Sequence, residues 1–207
     1  EGEAKAAPAK VWKKIGAWCA IKDWHPAIAN CEASKQGKDT FRVLTLKDGG
    51  KIKEKLTATG KWTYSYSIEE SPLPVKNYAA TLKVERDDDS KDEAGIVWTA
   101  KFDAKDKSEA EAKGVIEGIF KAGIDNIKAQ VKADNDKAKE ASDARKAKIE
   151  AAKLAILEKA AKAAVWNSSL MRSIAHLLLL TLVRGSRNDP GAAKARSKSM
   201  ARITIKH

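Results

Sequence analysis

The stretch WTYSYSI, residues 62–68, decides the fold, because large and small side chains alternate along it. One side of this stretch carries Trp62, Tyr64, Tyr66 and Ile68. Residues 51–57 and 96–102 alternate in the same way, and their large side carries Ile52, Glu54, Leu56, Ile96, Trp98 and Phe102. Side chains of a β-strand point to opposite faces in turn, so this period of two predicts strands with one apolar face and one wet face.

Glu54 breaks this pattern, because it places a carboxylate on the apolar side. Residues 58–60 fit a three-residue hairpin loop with Gly60 in the left-handed conformation, and that loop sets Glu54 opposite Tyr64. The pattern leaves two interpretations open. Either Glu54 lies among aromatic rings and accepts hydrogen bonds from tyrosine hydroxyls, or it lies near the rim of the sheet and reaches water.

A long helix is predicted at residues 108–131, since Ser108 and Glu111 form a capping box at its start. Gly114, Gly118 and Gly123 lie within it, and each costs about 1 kcal/mol relative to alanine. Glycines are therefore expected where the sheet or a ligand passes close to the helix. An edge strand at 1–6, two short helices at 8–19 and 21–25, and strands at 28–34, 40–46 and 77–85 complete the pattern. Together these elements predict an α+β helix-grip fold, in which an antiparallel sheet wraps around a long C-terminal helix and leaves a cavity.

The net charge of +12 is concentrated at one end of the 207-residue chain. Residues 1–128 and 129–159 each carry a balance of +2, whereas residues 160–207 hold nine Lys and Arg against one Asp. A phosphate-binding surface on the main domain is therefore not expected, and nucleic acid is not predicted as a partner.

Composition divides the chain into a helix-grip domain at 1–131, an Ala/Lys-rich helical extension at 132–165 and a basic tail at 166–207. Residues 170–183 are apolar but are interrupted by Arg172 and His176. This stretch is shorter than the roughly 20 residues that span a bilayer, so no transmembrane segment is predicted. Residues 184–207 are expected to be disordered. The tail fits a membrane-surface or partner-binding helix, and it equally fits a remnant of an altered reading frame joined to a complete domain.

Cys19 and Cys31 are the only cysteines, and their spacing excludes CxxC chemistry. In an oxidising compartment they can form a disulfide, and in the cytosol they are two small buried residues. No cluster of histidines accompanies them, so no zinc site or other cofactor is predicted. The chain begins at Glu1 without Met or a signal-like segment, which fits a processed mature protein or a trimmed chain.

The acidic stretch at residues 87–93 lacks the glycine and the distal Glu of an EF-hand loop. We interpret it as a solvated hairpin tip, and binding of a hard cation such as calcium by its carboxylates stays open as the alternative.

Catalytic residues are not predicted, because His25 lies between Trp24 and Pro26 with no nucleophile system in view. Arg42 shares a face with Leu44, and if that face is inward it neutralises Glu54 or an acidic ligand group. The residues predicted to line the cavity are Trp24, His25, Arg42, Glu54, Tyr64, Tyr66, Trp98, Phe102 and Gly118. Ordinary core packing remains the alternative for the aromatic members of this set.

Four runs occur in a recognisable order: VWKKIGAWCAIKDWHPAIANC (11–31), LTLKDGGKIKEKL (44–56), YSYSIEESPLPVKNYAATLKV (64–84) and GVIEGIFKAGIDNIKA (114–129). Over about residues 3–130 the chain resembles the polyketide cyclase/START-like (SRPBCC) lipid-binding superfamily. More narrowly, it resembles the small periplasmic branch that includes the accessory protein encoded beside methanol dehydrogenase. The tail after Trp166 has no counterpart in that pattern.

The resemblance implies a helix-grip fold with an internal apolar cavity and a location in the periplasm. It also implies a non-catalytic role that promotes contact and electron transfer between methanol dehydrogenase and its cytochrome c acceptor. In that setting we predict a disulfide between Cys19 and Cys31. Two alternatives stay open: a carrier of a small hydrophobic ligand in the cavity, and a cyclase or hydrolase that uses Glu54 as an acid–base group.

Overall fold

The computed structural model of the chain describes residues 1–87 and 90–185. The chain divides into two compact units after Ala141. The first unit contains the whole β-sheet and the start of the long helix, and the second unit begins at Ser142 within that helix.

A seven-stranded antiparallel sheet forms the first unit, with strand order β1-β7-β6-β5-β4-β3-β2. Its strands are β1 (Gly2–Ala4), β2 (Ile28–Gln36), β3 (Asp39–Leu46), β4 (Lys51–Gly60), β5 (Thr63–Glu70), β6 (Val75–Arg86) and β7 (Ala94–Ala104). The helices are α1 (Pro8–Ile15), α2 (Ile21–Trp24) and α3 (Glu109–Gly185). The predicted α+β helix-grip fold is confirmed, because this sheet packs its large side chains around the start of the long helix.

The hairpin between β4 and β5 differs from its prediction. Gly60 still belongs to β4, and the left-handed residue of the turn is Trp62, with φ at 58°. Glu54 therefore pairs with Ile68 and not with Tyr64. The register shifts twice along this strand pair, and such β-bulges add a residue to one strand in a way that the alternation pattern does not reveal.

The start of α3 follows the predicted capping box. The Ser108 hydroxyl accepts a hydrogen bond from the Glu111 amide at 3.3 Å, and Glu111 Oε2 accepts one from the Ser108 amide at 3.0 Å. The helix buries one face, which carries Ala112, Ile116, Gly123, Ile124, Ile127 and Val131. Val115, the neighbour of Ile116 in the sequence, lies off this face and is exposed.

The predicted end of this helix at residue 131 is wrong, since α3 continues to Gly185. Residues 132–165 are rich in strong helix formers and contain neither Gly nor Pro, so nothing in them ends a helix. Residues 166–185 of the tail are helical too, so the disorder predicted for residues 184–207 is wrong at 184 and 185. The rest of that stretch, residues 186–207, lies outside the described residues. Among the described helices, none combines the length and the apolar character needed to cross a membrane.

Cys19 and Cys31 form the predicted disulfide, with their Cα atoms 5.5 Å apart. The bond joins the connection between α1 and α2 to strand β2. It thereby fixes the backbone of Trp18 next to the sheet, close to the charged pair described below.

Candidate ligand-binding cavity

A cavity of about 250 Å³ lies between the sheet and the start of α3. Strands β2 to β7 supply one wall, and α2 and α3 supply the other. The wall is mostly apolar: Ile21, Ala27, Ile28, Leu44, Leu46, Ile52, Ile68, Leu73, Trp98, Ile116, Ile119 and Phe120. Its polar members are His25, Asp48, Glu54, Tyr66 and Tyr78. A concave apolar space with a few polar groups is the usual form of a small-molecule site.

Glu54 is a buried carboxylate in this wall, and Arg42 is its partner. Arg42 Nε donates to Glu54 Oε2 at 2.5 Å, across the pairing of β3 with β4. The guanidinium is fully buried, and its Nη1 donates to the Trp18 carbonyl oxygen. The Trp18 ring lies over the guanidinium carbon at 3.8 Å, which adds a cation–π contact.

Burial raises the pKa of the Glu54 carboxyl, and the Arg42 guanidinium opposes this rise. Burial disfavours the arginine cation as well, but Glu54 together with Tyr64 and Tyr66 holds the pKa of Arg42 above its ordinary value. Among the described residues, Glu54 makes no hydrogen bond apart from the one to Arg42. Its other oxygen is therefore available to a hydrogen-bond donor in the cavity.

Two tyrosines near Glu54 are neutral hydrogen-bonding groups. Burial raises the pKa of Tyr66 and of Tyr78, and for Tyr78 a hydrogen bond from Tyr66 opposes the rise. The Tyr66 hydroxyl accepts a hydrogen bond from Trp98 Nε1 at 3.0 Å. This hydrogen bond fixes the Trp98 indole against the Tyr66 ring in the cavity wall.

His25 belongs to the helix side of the wall, and both of its ring nitrogens are engaged. Nε2 lies 3.0 Å from the carbonyl oxygen of Ile119, and Nδ1 accepts a hydrogen bond from the Ala27 amide at 3.2 Å. This arrangement requires the neutral ring protonated at Nε2. Burial lowers the pKa of His25, and the bond to Ile119 opposes that shift. The ring therefore ties α2 to α3 and is not poised as a base.

Gly123 is the glycine that lets the helix approach the aromatic wall. A Cβ atom at Gly123 would lie 2.8 Å from His25, 2.9 Å from Trp98 and 3.1 Å from Trp24. Gly118, which was expected to line the cavity, is exposed, and a Cβ there would have no atom within 4 Å. The assignment of Gly118 is wrong, because the helical turn places it on the outer face of α3.

The structure divides the other predicted cavity residues into groups. His25, Glu54, Tyr66 and Trp98 line the cavity. Trp24, Arg42 and Tyr64 are buried but do not line it, so they belong to the supporting core. Phe102 lies in an open groove outside, between β7 and α3, and that groove shares Trp98, Ile116 and Phe120 with the cavity.

Most of the apolar wall was missed when the sequence was interpreted. Ile52 and Ile68 share their strand faces with Glu54 and Tyr66, so the same alternation pointed to them. Phe120 stacks on Trp98 with ring centroids 4.3 Å apart, and this contact joins residues distant in the sequence. Asp48 follows β3 in the turn before β4, where no periodic signal exists.

No group of three or more metal-ligating side chains occurs among residues 1–87 and 90–185. In the acidic tip, Asp87 Oδ1 accepts a hydrogen bond from the Ser90 amide at 3.0 Å. Asp88 and Asp89 lie outside the described residues, so the interpretation of this tip stays a prediction.

The long helix held by a curved antiparallel sheet, with a lined cavity between them, defines a helix-grip ligand-binding fold. The family described as "Polyketide cyclase / dehydrase and lipid transport" matches residues 2–132. The chain belongs to this family. Among curated proteins there is no match.

Solved structures support the same assignment. The protein XoxI from Bacillus cereus is 28% identical, and the similarity covers 62% of this chain and 90% of that one, with a TM-score of 0.59. A protein from Thermobifida fusca is 25% identical over 63% of this chain and 89% of that one, with a TM-score of 0.56. The ZhuI aromatase/cyclase from a Streptomyces species is 12% identical over 63% of this chain and 90% of that one, with a TM-score of 0.51. At that identity the likeness shows the fold alone.

Proposed function

We propose that the protein binds a small and mostly apolar molecule that carries a hydrogen-bond donor. The observation that supports this most directly is the Glu54 carboxylate, which lines an apolar cavity and has one oxygen without a hydrogen bond among the described residues. This oxygen is not one of the fully enclosed polar atoms without a partner, so it keeps accessible surface and can accept a hydrogen bond from a molecule in the cavity. A hydroxyl or N–H group of a ligand supplies the missing partner.

The size of the cavity limits the ligand. Sites for drug-sized molecules have volumes of about 300–1,000 Å³, and the volume here is about 250 Å³. A molecule of one or two fused rings, or a short branched chain, fits this space. A long lipid chain fits only if part of it extends into the open groove beyond Trp98 and Phe120.

We propose that the protein binds this ligand without turning it over. In support, both nitrogens of His25 are occupied by the backbone, and Cys19 is part of a disulfide. Glu54 is held by Arg42, so proton transfer through it would disturb a buried ion pair. The rival role, a cyclase or hydrolase with Glu54 as its acid–base group, requires that Glu54→Gln abolish a measurable turnover.

Native mass spectrometry of protein purified from its source organism tests the binding role. A bound molecule should be present in the wild type and absent from Leu46→Trp, which places an indole in the cavity. The matched control is Thr45→Trp, because the neighbouring side chain of β3 points to the other face. An empty wild-type protein, or equal occupancy of the two variants, contradicts the proposal.

A second candidate is the periplasmic accessory role in methanol oxidation, with methanol dehydrogenase and its cytochrome c as partners. Its support is the ordered resemblance of four sequence runs to the small periplasmic branch of the superfamily. The Cys19–Cys31 disulfide is a second support, because such bonds persist in oxidising compartments. Purified methanol dehydrogenase is the probe. Binding to this chain, with faster reduction of cytochrome c, is the expected result; no binding and an unchanged rate exclude this role.

A further inference from the structure

Residues 166–181 of α3 form a helical segment with two chemically different faces. The polar face carries Ser169, Arg172, Ser173 and His176, spaced at i, i+3, i+4 and i+7. The apolar face carries Leu170, Met171, Ile174, Leu177 and Leu178. These spacings are those of an amphipathic helix, because residues three, four and seven apart lie on one side.

The apolar face of this segment is unusually exposed. Leu170 and Ile174 are 42% and 43% exposed, and Met171 is 66% exposed. Leu179 and Leu180, at 65% and 50%, are exposed as well, but they follow Arg172 and His176 at helical spacing and end the polar face at the C-terminal side of the segment. Large exposed apolar patches mark sites of interaction with membranes or proteins.

The charge around the segment has one sign. Between Glu158 and Asp189 the sequence contains five Lys and Arg residues and no acidic residue. One of these, Arg172, lies on the polar face opposite the leucines. An anionic bilayer has a negatively charged surface above an apolar layer, so it complements the polar face with Arg172 and the apolar face together.

We propose that residues 166–181 bind to the surface of an anionic membrane, with the helix parallel to the bilayer plane. The apolar face enters the boundary between headgroups and acyl chains, and Arg172 stays at the level of the phosphates. The segment lies on the membrane and does not span it, in keeping with the hydropathy of the described helices. Membrane binding by this segment does not depend on a ligand in the cavity.

A second copy of the chain is the weaker choice of partner. A coiled coil requires large apolar residues at a and d positions over at least three or four heptads. Between Leu157 and Leu170 the only large apolar residues are Val165 and Trp166, and alanines and lysines occupy most of the other positions. The apolar surface is therefore concentrated in one short segment and not in a long seam.

Co-sedimentation of the full chain with vesicles tests the proposal. Vesicles of phosphatidylcholine with phosphatidylglycerol should bind the chain at least tenfold more strongly than vesicles of phosphatidylcholine alone. Raising the salt concentration should weaken this binding. Equal binding to both vesicles, or none to the anionic ones, overturns the proposal.

Two matched variants separate the faces of the helix. Leu178→Glu and Ser173→Glu add the same charge at exposed positions of one segment, so both leave the sheet domain intact. Leu178→Glu should lower binding at least tenfold, and Ser173→Glu should lower it clearly less. Equal losses of binding in the two variants overturn the proposal. It is also overturned if the wild type does not bind the anionic vesicles and self-associates in analytical ultracentrifugation.

Discussion

Ile127 and Ile156 belong to the same helix, α3, but Ile127 is fully buried and Ile156 is 68% exposed. The early part of the helix, residues 109–131, contains three glycines and still buries a full face. The part from Ser142 onward contains larger apolar residues, such as Leu154 and Leu157, and exposes them. Packing partners, and not hydrophobicity alone, therefore decide which side chains of α3 are buried.

The two parts are therefore helical for different reasons. The early part holds its helix by tertiary packing against the sheet, which offsets its glycines. The later part depends on strong helix formers and on pairs of opposite charge along its surface, such as Glu150 with Lys153. Substitutions of matched residues in the two parts should accordingly have unequal effects.

Substitutions in the buried ion pair of Arg42 and Glu54 should change the stability most. Arg42→Met or Glu54→Leu alone leaves an uncompensated buried charge, and each should lower the free energy of unfolding by about 3–5 kcal/mol. The double variant should lose less than either single variant, because no charge remains buried. Urea unfolding of the four proteins measures this, and additive losses contradict the buried pairing. Lys132→Met, at an exposed pair on α3, is the control and should leave the midpoint unchanged.

Ile127→Ala and Ile156→Ala compare the two parts of α3 directly. Loss of the buried Ile127 side chain leaves a cavity and should cost about 2–5 kcal/mol. Loss of Ile156 should change the free energy of unfolding by less than about 0.5 kcal/mol, as is usual for exposed positions. Equal losses for the two alanine variants would mean that the later part of α3 is covered by a partner in solution.

Gly123→Ala and Gly118→Ala differ only in what the added methyl group meets. At Gly123 it would contact three aromatic rings closer than ordinary van der Waals distance, so we expect a loss of about 1–3 kcal/mol. At Gly118 it meets open space and improves helix propensity, so a gain of up to about 1 kcal/mol is expected. Thermal unfolding measures the stability of both variants, and we expect the two changes to have opposite signs. A stabilised Gly123→Ala would refute the close approach of α3 to the aromatic rings.

The smallest expected effect is a pH dependence that arises from His25. Burial lowers the pKa of this ring, so below about pH 6.5 the unfolded chain gains a proton that the folded chain does not. The free energy of unfolding should therefore fall as the pH drops from 6.5 towards the lowered pKa. Glu54, whose pKa is raised, acts in the opposite direction in its own range, so the wild type must be compared with His25→Gln. If the difference in the free energy of unfolding between the wild type and His25→Gln does not vary with pH, the neutral and fully hydrogen-bonded His25 ring is contradicted.

Much of the fold was predictable because its signals are local. The alternation of Tyr64 and Tyr66 with serines, the capping box at Ser108 and the turn residues mark elements without tertiary information. The pairing of Glu54 with Ile68 was not predictable, because bulges leave no periodic trace. The end of the helix was also missed, since residues 132–165 change composition without ending the helix.

The site was predicted only in part, for a related reason. The sequence left open whether the face of Arg42 is inward and whether Arg42 neutralises Glu54 or an acidic ligand group, and the structure shows it paired with Glu54. The choice of Gly123 over Gly118 depends on which turn of α3 meets Trp98, and this follows from three-dimensional packing. Phe120 enters the wall in the same way, through a contact with a distant strand.

We expect the cavity to select a small apolar ligand that carries a hydrogen-bond donor for Glu54. Titration of the wild-type protein with 2-naphthol and with naphthalene, two probes of similar shape, measures this selectivity. A hydrogen bond to a charged group contributes about 1.5–3 kcal/mol, so 2-naphthol should bind at least about tenfold more tightly. Equal affinities for the two probes, or no binding of either, would contradict the claim.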